Sequence, residues 1–239
     1  MIAPETDPVS YAGLLERTRQ MLTPLGLTER PAPPAWKVAD DVAHACRLTP
    51  AVWTLGAGRA ALAECRAVTL AGPVADAFMT VIYPTDPARL PTFTAELYAG
   101  AGRPALAYLD LPAPGLSVSL RNEIADQTTV LSIRHAPFLP RDEAPPNWVL
   151  DDSPGGFLFT RTTDGEALAR LAQAFEDYLN VWIDFAFPFV DSADLARSAN
   201  PVPVEQKKRF DLHAPTRAML EQHFGLEWAE RFVGEFLQP

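Results

Sequence analysis

A chain of 239 residues with 48% apolar and only 21% charged side chains can bury a sizeable core, which excludes a disordered segment. Its formal net charge of −10 argues against a general nucleic-acid binder, which needs a basic footprint. No apolar run approaches the ~20 residues that span a bilayer. Residues 1–13 carry neither a basic stretch nor an apolar one of the secretory kind, so a cytoplasmic location is expected.

Asp7-Pro8 opens a first helix in which Tyr11, Leu14, Leu15, Met21 and Leu22 recur at roughly helical spacing, and Pro24 with Gly26 ends it. Pro31, Pro33, Pro34 and Pro50 make the rest of residues 1–50 an irregular wrap, so one domain over 1–239 is expected rather than two. Cys46 and Cys65 match no zinc spacing and read as two small buried apolar residues. Residues 60–70 and 76–83 form an antiparallel pair turning at Ala71-Gly72-Pro73. Residues 92–98 and 105–110 form another, with glycines 100 and 102 in the turn. Short strands connected in this way give a meander, not the strand–helix alternation of a parallel sheet.

A helix follows near residues 119–133, with Leu120, Ile124, Val130 and Leu131 facing inward. A proline-rich loop over 136–146 carries Phe138, with Trp148 just beyond it, and Phe157-Leu158-Phe159 is a short buried strand. Asp164 caps a strong helix whose inner face is Leu168, Leu171, Phe175, Leu179 and Trp182, and Pro188 stops it. Residues 204–223, interrupted or begun near Pro215, and 226–236 are helical, with Gly225 ending the first. Helices from both ends of the chain can cover both faces of the sheet. The expected fold is α/β: a three-layer α/β/α sandwich with a central antiparallel sheet.

One carboxylate stands out. Glu96 lies at a strand centre between Ala95 and Leu97; Phe93, Ala95 and Leu97 share one side, and Thr92, Thr94, Glu96 and Tyr98 the other. Either it is buried, where the charged form is disfavoured and proton donation is favoured, or it is an ordinary glutamate on the wet face of an edge strand. Leu55-Gly56-Ala57-Gly58-Arg59 lacks the third glycine of a dinucleotide loop. Neither Gly-x-Ser-x-Gly nor His-Glu-x-x-His occurs, so hydrolase and nucleotide-dependent readings have no support.

Three segments carry a family resemblance. The first runs Tyr83-Pro84, Leu90-Pro91, Phe93, Glu96-Leu97, a glycine turn and Leu109-Asp110-Leu111-Pro112. The second is Pro145-Pro146-Asn147-Trp148 followed by Ser153-Pro154-Gly155-Gly156-Phe157-Leu158-Phe159-Thr160-Arg161. The third is the stretch from Thr216-Arg217 through Phe224-Gly225-Leu226-Glu227-Trp228 to Ala229-Glu230. Together they cover roughly residues 50–239 and resemble the ferredoxin-dependent bilin reductases and their plant relative, red chlorophyll catabolite reductase. The resemblance implies the same sandwich and an oxidoreductase that reduces a linear tetrapyrrole, biliverdin or a chlorophyll breakdown product. Electrons would arrive singly from reduced ferredoxin, with protons from side chains and no bound flavin or metal.

That resemblance also implies site residues. Glu96 matches a strand acid that is aspartate in the bilin reductases and glutamate in the chlorophyll catabolite enzyme, which makes it the proton donor. Met79 falls where the branch that makes phycocyanobilin has a histidine, and Ala67 near that branch's glutamate; neither side chain can donate a proton. A second acid is implied before the Thr216-Arg217 pair. Direct counting reaches Ala214, whereas Asp211, within Arg209-Phe210-Asp211, matches the Arg-x-Asp of the chlorophyll catabolite enzyme with one gap. Asp211 reads equally well as a cap of the helix near Pro215 or a solvated side chain. Arg217 and Arg161 are candidate contacts for the two propionates, against the plainer readings of a solvated helix face and a strand-end charge. His213 is the histidine nearest this region. Lys207-Lys208-Arg209 is the dense basic cluster a ferredoxin would need, in a chain whose net charge is otherwise unfavourable to an acidic partner. The rival reading is a carrier that holds a tetrapyrrole without reducing it.

Overall fold

Alternation of large apolar residues over β-compatible stretches builds one antiparallel sheet of eight strands. The computed structural model describes residues 11–36, 39–41, 45–56, 61–73, 75–100, 105–139, 153–162, 165–190 and 214–237. The strands are β1 Thr28–Arg30, β2 Ala39–Asp41, β3 Cys46–Leu55, β4 Ala63–Ala71, β5 Ala75–Pro84, β6 Phe93–Gly100, β7 Ala105–Asp110 and β8 Leu158–Thr162. They lie in the order β1-β3-β4-β5-β6-β7-β8, with β2 beside β1 on the outer edge of β3. From β3 to β7 each strand pairs with the next in sequence, so the predicted meander is the centre of the sheet.

Two apolar layers cover it. On one face Phe78, Ile82, Phe93, Ala95 and Leu97 pack against three helices, α1 Ala12–Leu22, α2 Val118–His135 and α3 Gly165–Ala186. Helix α1 contributes Leu14 and Leu22, α2 Ile124 and Leu131, and α3 Leu171, Phe175, Leu179 and Trp182. Trp182 is fully buried, and its indole N–H donates to the Pro91 carbonyl at 2.8 Å, so this side chain leaves no donor unmet. On the other face Leu48, Val68, Leu70, Ala77 and Met79 meet the C-terminal layer. That layer consists of α4 Ala214–Phe224, α5 Leu226–Arg231 and a π-helical turn, Phe232–Leu237, supplying Met219, Leu220, Ala229, Phe232 and Phe236. The result is the expected α/β/α sandwich.

Two expectations change. The wrap over residues 1–50 holds β1, β2 and the start of β3. Pro50, one of the prolines behind the irregular reading, lies between the β3 residues that pair β2 (Cys46 to Leu48) and those that pair β1 (Val52 to Thr54). That outer edge is unpaired at Pro50, so the missing N–H costs no ladder bond there. In α2 the inner stripe is Ile124, Thr128, Leu131 and His135 at four-, three- and four-residue spacing, while Val130 is 57% exposed. The starts of the first and third long helices at Asp7 and Asp164, and the helical reading of 204–213, lie outside the described residues. Both cysteines are buried; Cys65 meets Thr80 Oγ1 at 3.5 Å, and burial pushes its thiol up to about 12.

Candidate functional site

The register places Glu96 in a row across the sheet. Met79 of β5 stands on one side of it and Tyr108 of β7 on the other; the row continues to Val68 of β4 and Phe159 of β8. The next row is Arg66, Val81, Thr94 and Asp110. Because side chains alternate, both rows face the C-terminal layer, opposite to Phe93, Ala95 and Leu97. Glu96 is 6% exposed, so of its two readings the buried one holds. Met79 and Tyr108 are also buried. A carboxyl between a thioether and a phenol ring sits in an apolar corridor one residue wide on each side.

Polar groups of the second row are organised around Asp110, which is fully buried. Its Oδ2 accepts from the Tyr108 hydroxyl at 3.0 Å, and its Oδ1 accepts from Leu111 N–H at 2.8 Å and the Ser153 hydroxyl at 3.1 Å. Three donors on one carboxylate fix the Tyr108 ring beside Glu96 and tie the strand end to the Ser153 segment. The Tyr108 ring also meets Phe159 edge-on, 6.5 Å between centroids. At the other end of this row the Arg66 guanidinium pairs with Glu64 at 2.6 Å. It also donates from Nη1 to the carbonyls of Glu235 and Phe236. The Tyr83 hydroxyl donates to Leu237 O at 2.6 Å. The C-terminal turn is therefore bolted to the sheet on the same face as Glu96.

The other expected site residues are distributed as follows. Met79 is Glu96's direct cross-strand neighbour. Ala67 pairs with Thr80 and belongs to the opposite face, among the α1–α3 contacts; the residue across from Met79 is Val68, which likewise carries no acid. Arg161 is exposed, on the Glu96 face in the row of Tyr98 and Leu106, with its guanidinium 5.5 Å from the Phe159 ring. Arg217 on α4 is held by Glu221 at 2.7 Å and Glu230 at 2.5 Å, so a propionate would compete with two carboxylates for it. Asp211, His213, Lys207, Lys208 and Arg209 lie outside the described residues. Sequence reasoning passed over Tyr108, Asp110 and Thr94 as site residues. Their signal was available: strand alternation puts Thr94 on the Glu96 side, and Tyr108 and Asp110 share one side of the adjoining strand.

Residues 59–239 match the model of the ferredoxin-dependent bilin reductases, three quarters of the chain. The chain belongs to that family. Among curated relatives, the 15,16-dihydrobiliverdin:ferredoxin oxidoreductase of Gloeobacter violaceus is 27% identical over 174 residues, 70% of this chain and 69% of that protein. The enzymes of the same name from a Synechococcus strain and from Nostoc punctiforme are 33% and 34% identical over 87 and 89 residues. Those two matches span only about a third of either relative's length, 36% and 34%. The crystal structure of tomato phytochromobilin synthase in complex with biliverdin superposes with a TM-score of 0.75, covering 95% of this chain and 82% of that one at 17% identity. That likeness establishes the bilin-reductase fold.

Proposed function

We propose that this protein reduces a linear tetrapyrrole with electrons from reduced ferredoxin, and that Glu96 donates a proton to the bound pigment. The observation that carries the reading is the buried carboxyl of Glu96 at the centre of the sheet face, between Met79 and Tyr108, in a chain of this family. Reduction of one pigment double bond takes up two electrons and two protons. Each electron makes the pigment more basic; a carboxyl shielded from water then passes its proton to a reacting carbon or nitrogen and is left as carboxylate, to be recharged from solvent. Two Glu96-type steps, or one from Glu96 and one from Asp211, complete the balance. The pigment itself supplies the conjugated system that accepts the electrons, and the protein supplies orientation, dryness and the acid.

Met79 and Ala67, at the positions where the resemblance puts acids, and the net charge of −10 favour the second reading, a tetrapyrrole carrier. Titration with biliverdin, followed by visible absorption, separates binders from non-binders. Addition of reduced ferredoxin under anaerobic conditions then separates enzyme from carrier. The expected result is a red-shifted bound pigment that loses conjugation when ferredoxin is added. A bound pigment whose spectrum stays unchanged on reduction supports the carrier, and no binding at all contradicts both. In the enzyme, Asp211→Asn stalls the reaction after the first proton; an unchanged product would remove Asp211 from the scheme.

A further inference from the structure

A buried hydroxyl almost always has a hydrogen-bond partner, and leaving one unmade carries a penalty. Thr94 departs from that rule: it is fully buried, and its Oγ1 has no hydrogen-bond partner among the described residues. Tyr11 Oη and Trp53 Nε1 share the condition, but both side chains belong to the cluster on the opposite face. Thr94 stands on the Glu96 face, two residues from Glu96 on the same strand, and its cross-strand neighbour is Asp110. Its neighbour on the other side is Val81, which offers nothing to bond. An unmet hydroxyl beside the candidate acid, next to Val81 and on the face that also carries Met79, Val68 and Tyr108, is a hydrogen-bonding position prepared for something that arrives.

We propose that Thr94 is a pigment-binding residue, its hydroxyl taking a hydrogen bond with a polar edge group of the linear tetrapyrrole. The inference rests on the tetrapyrrole reading above and adds a specific contact to it. Pyrrole N–H groups donate and lactam carbonyls accept; a threonine hydroxyl can do either, and its rotor lets it adapt. Apolar neighbours set the plane of the pigment, and Thr94 sets its registry along β6. That registry decides which pigment atom lies over Glu96.

The test uses the full chain, biliverdin as probe, and the variants Thr94→Val and Thr94→Ser. Valine is nearly isosteric with threonine and removes only the hydroxyl. If that hydroxyl is unmet in the free protein, free Thr94→Val melts at or above the wild-type temperature. Its affinity for biliverdin nonetheless falls roughly tenfold, about one neutral hydrogen bond, and the absorption maximum of the bound pigment moves. Thr94→Ser restores both affinity and maximum. If wild-type protein binds biliverdin and Thr94→Val binds it with the same affinity and spectrum, the proposal falls and the tetrapyrrole reading stands. A destabilised free Thr94→Val with unaltered binding assigns the hydroxyl to a resident water or a structural contact, and likewise overturns the proposal. Failure of the wild type to bind biliverdin defeats the underlying reading, and the Thr94 contact with it.

Discussion

Asp110 shows how a single side chain organises its surroundings. It is fully buried, yet three donors from three different positions, Tyr108, Leu111 and Ser153, converge on its two oxygens. An amide in its place can accept at one atom only and turns an N–H toward at least one of those donors. Asp110→Asn is expected to cost about 2 kcal/mol of stability, measured by urea unfolding, and to free the Tyr108 ring. Because that ring flanks Glu96, the same variant should broaden the absorption of bound pigment. An Asn variant as stable as wild type would show that the carboxylate's charge is not needed to hold these donors. Tyr83 behaves differently: burial pushes its phenol up, and it serves as a neutral donor to the Leu237 carbonyl.

At the scale of elements, the Ser153–Phe157 segment explains why two glycines stand together. Gly156 has φ +71°, and its carbonyl accepts from the Tyr178 hydroxyl of α3 at 2.5 Å. The Gly155 carbonyl accepts from Thr128 of α2 at 2.8 Å. A Cβ at Gly156 would collide with the backbone of Thr128 and Thr129. Gly156→Ala therefore combines left-handed strain with a clash, and a loss of about 3 kcal/mol or more is expected in thermal or urea unfolding. A loss under 1 kcal/mol would mean that the segment can shift away from α2. Much of this architecture was legible in the sequence. The β4–β5 and β6–β7 pairs declared themselves by two-residue alternation and their turns, and the inner face of α3 by its period. What escaped notice was set by tertiary context. Pro50 hid β3 because a proline normally breaks a strand, and only the gap between β1 and β2 tells it apart. Val130 looked inward because it is apolar, whereas Thr128 holds the inner position by bonding the Ile124 and Gly155 carbonyls. Glu96's burial is likewise set by what packs over its sheet face, which local sequence does not describe.

Across the whole molecule, the sheet divides two different tasks. One face is filled by α1, α2 and α3 and forms the larger apolar core; the other places Glu96, Thr94, Tyr108 and Asp110 toward the C-terminal layer, pinned by Arg66 and Tyr83. In the proposed reaction, electrons reach this face from a separate protein. With a net charge of −10, approach of an acidic ferredoxin needs a local basic patch, and we propose Lys207, Lys208 and Arg209 for that role. Reversing these three charges to glutamate is expected to raise the KM for ferredoxin severalfold at low salt, with biliverdin affinity unchanged. A KM that does not move would place the docking surface elsewhere.

Glu96→Gln keeps the shape of the side chain and removes its acidity, so it isolates proton donation from pigment binding. The decisive measurement is anaerobic, single-turnover reduction of bound biliverdin by reduced ferredoxin, followed by absorption in wild type and in this variant. The expected result is that the glutamine protein binds the pigment, accepts an electron and then stops, with the conjugated chromophore intact. Reduction to the wild-type product at the wild-type rate would contradict the account.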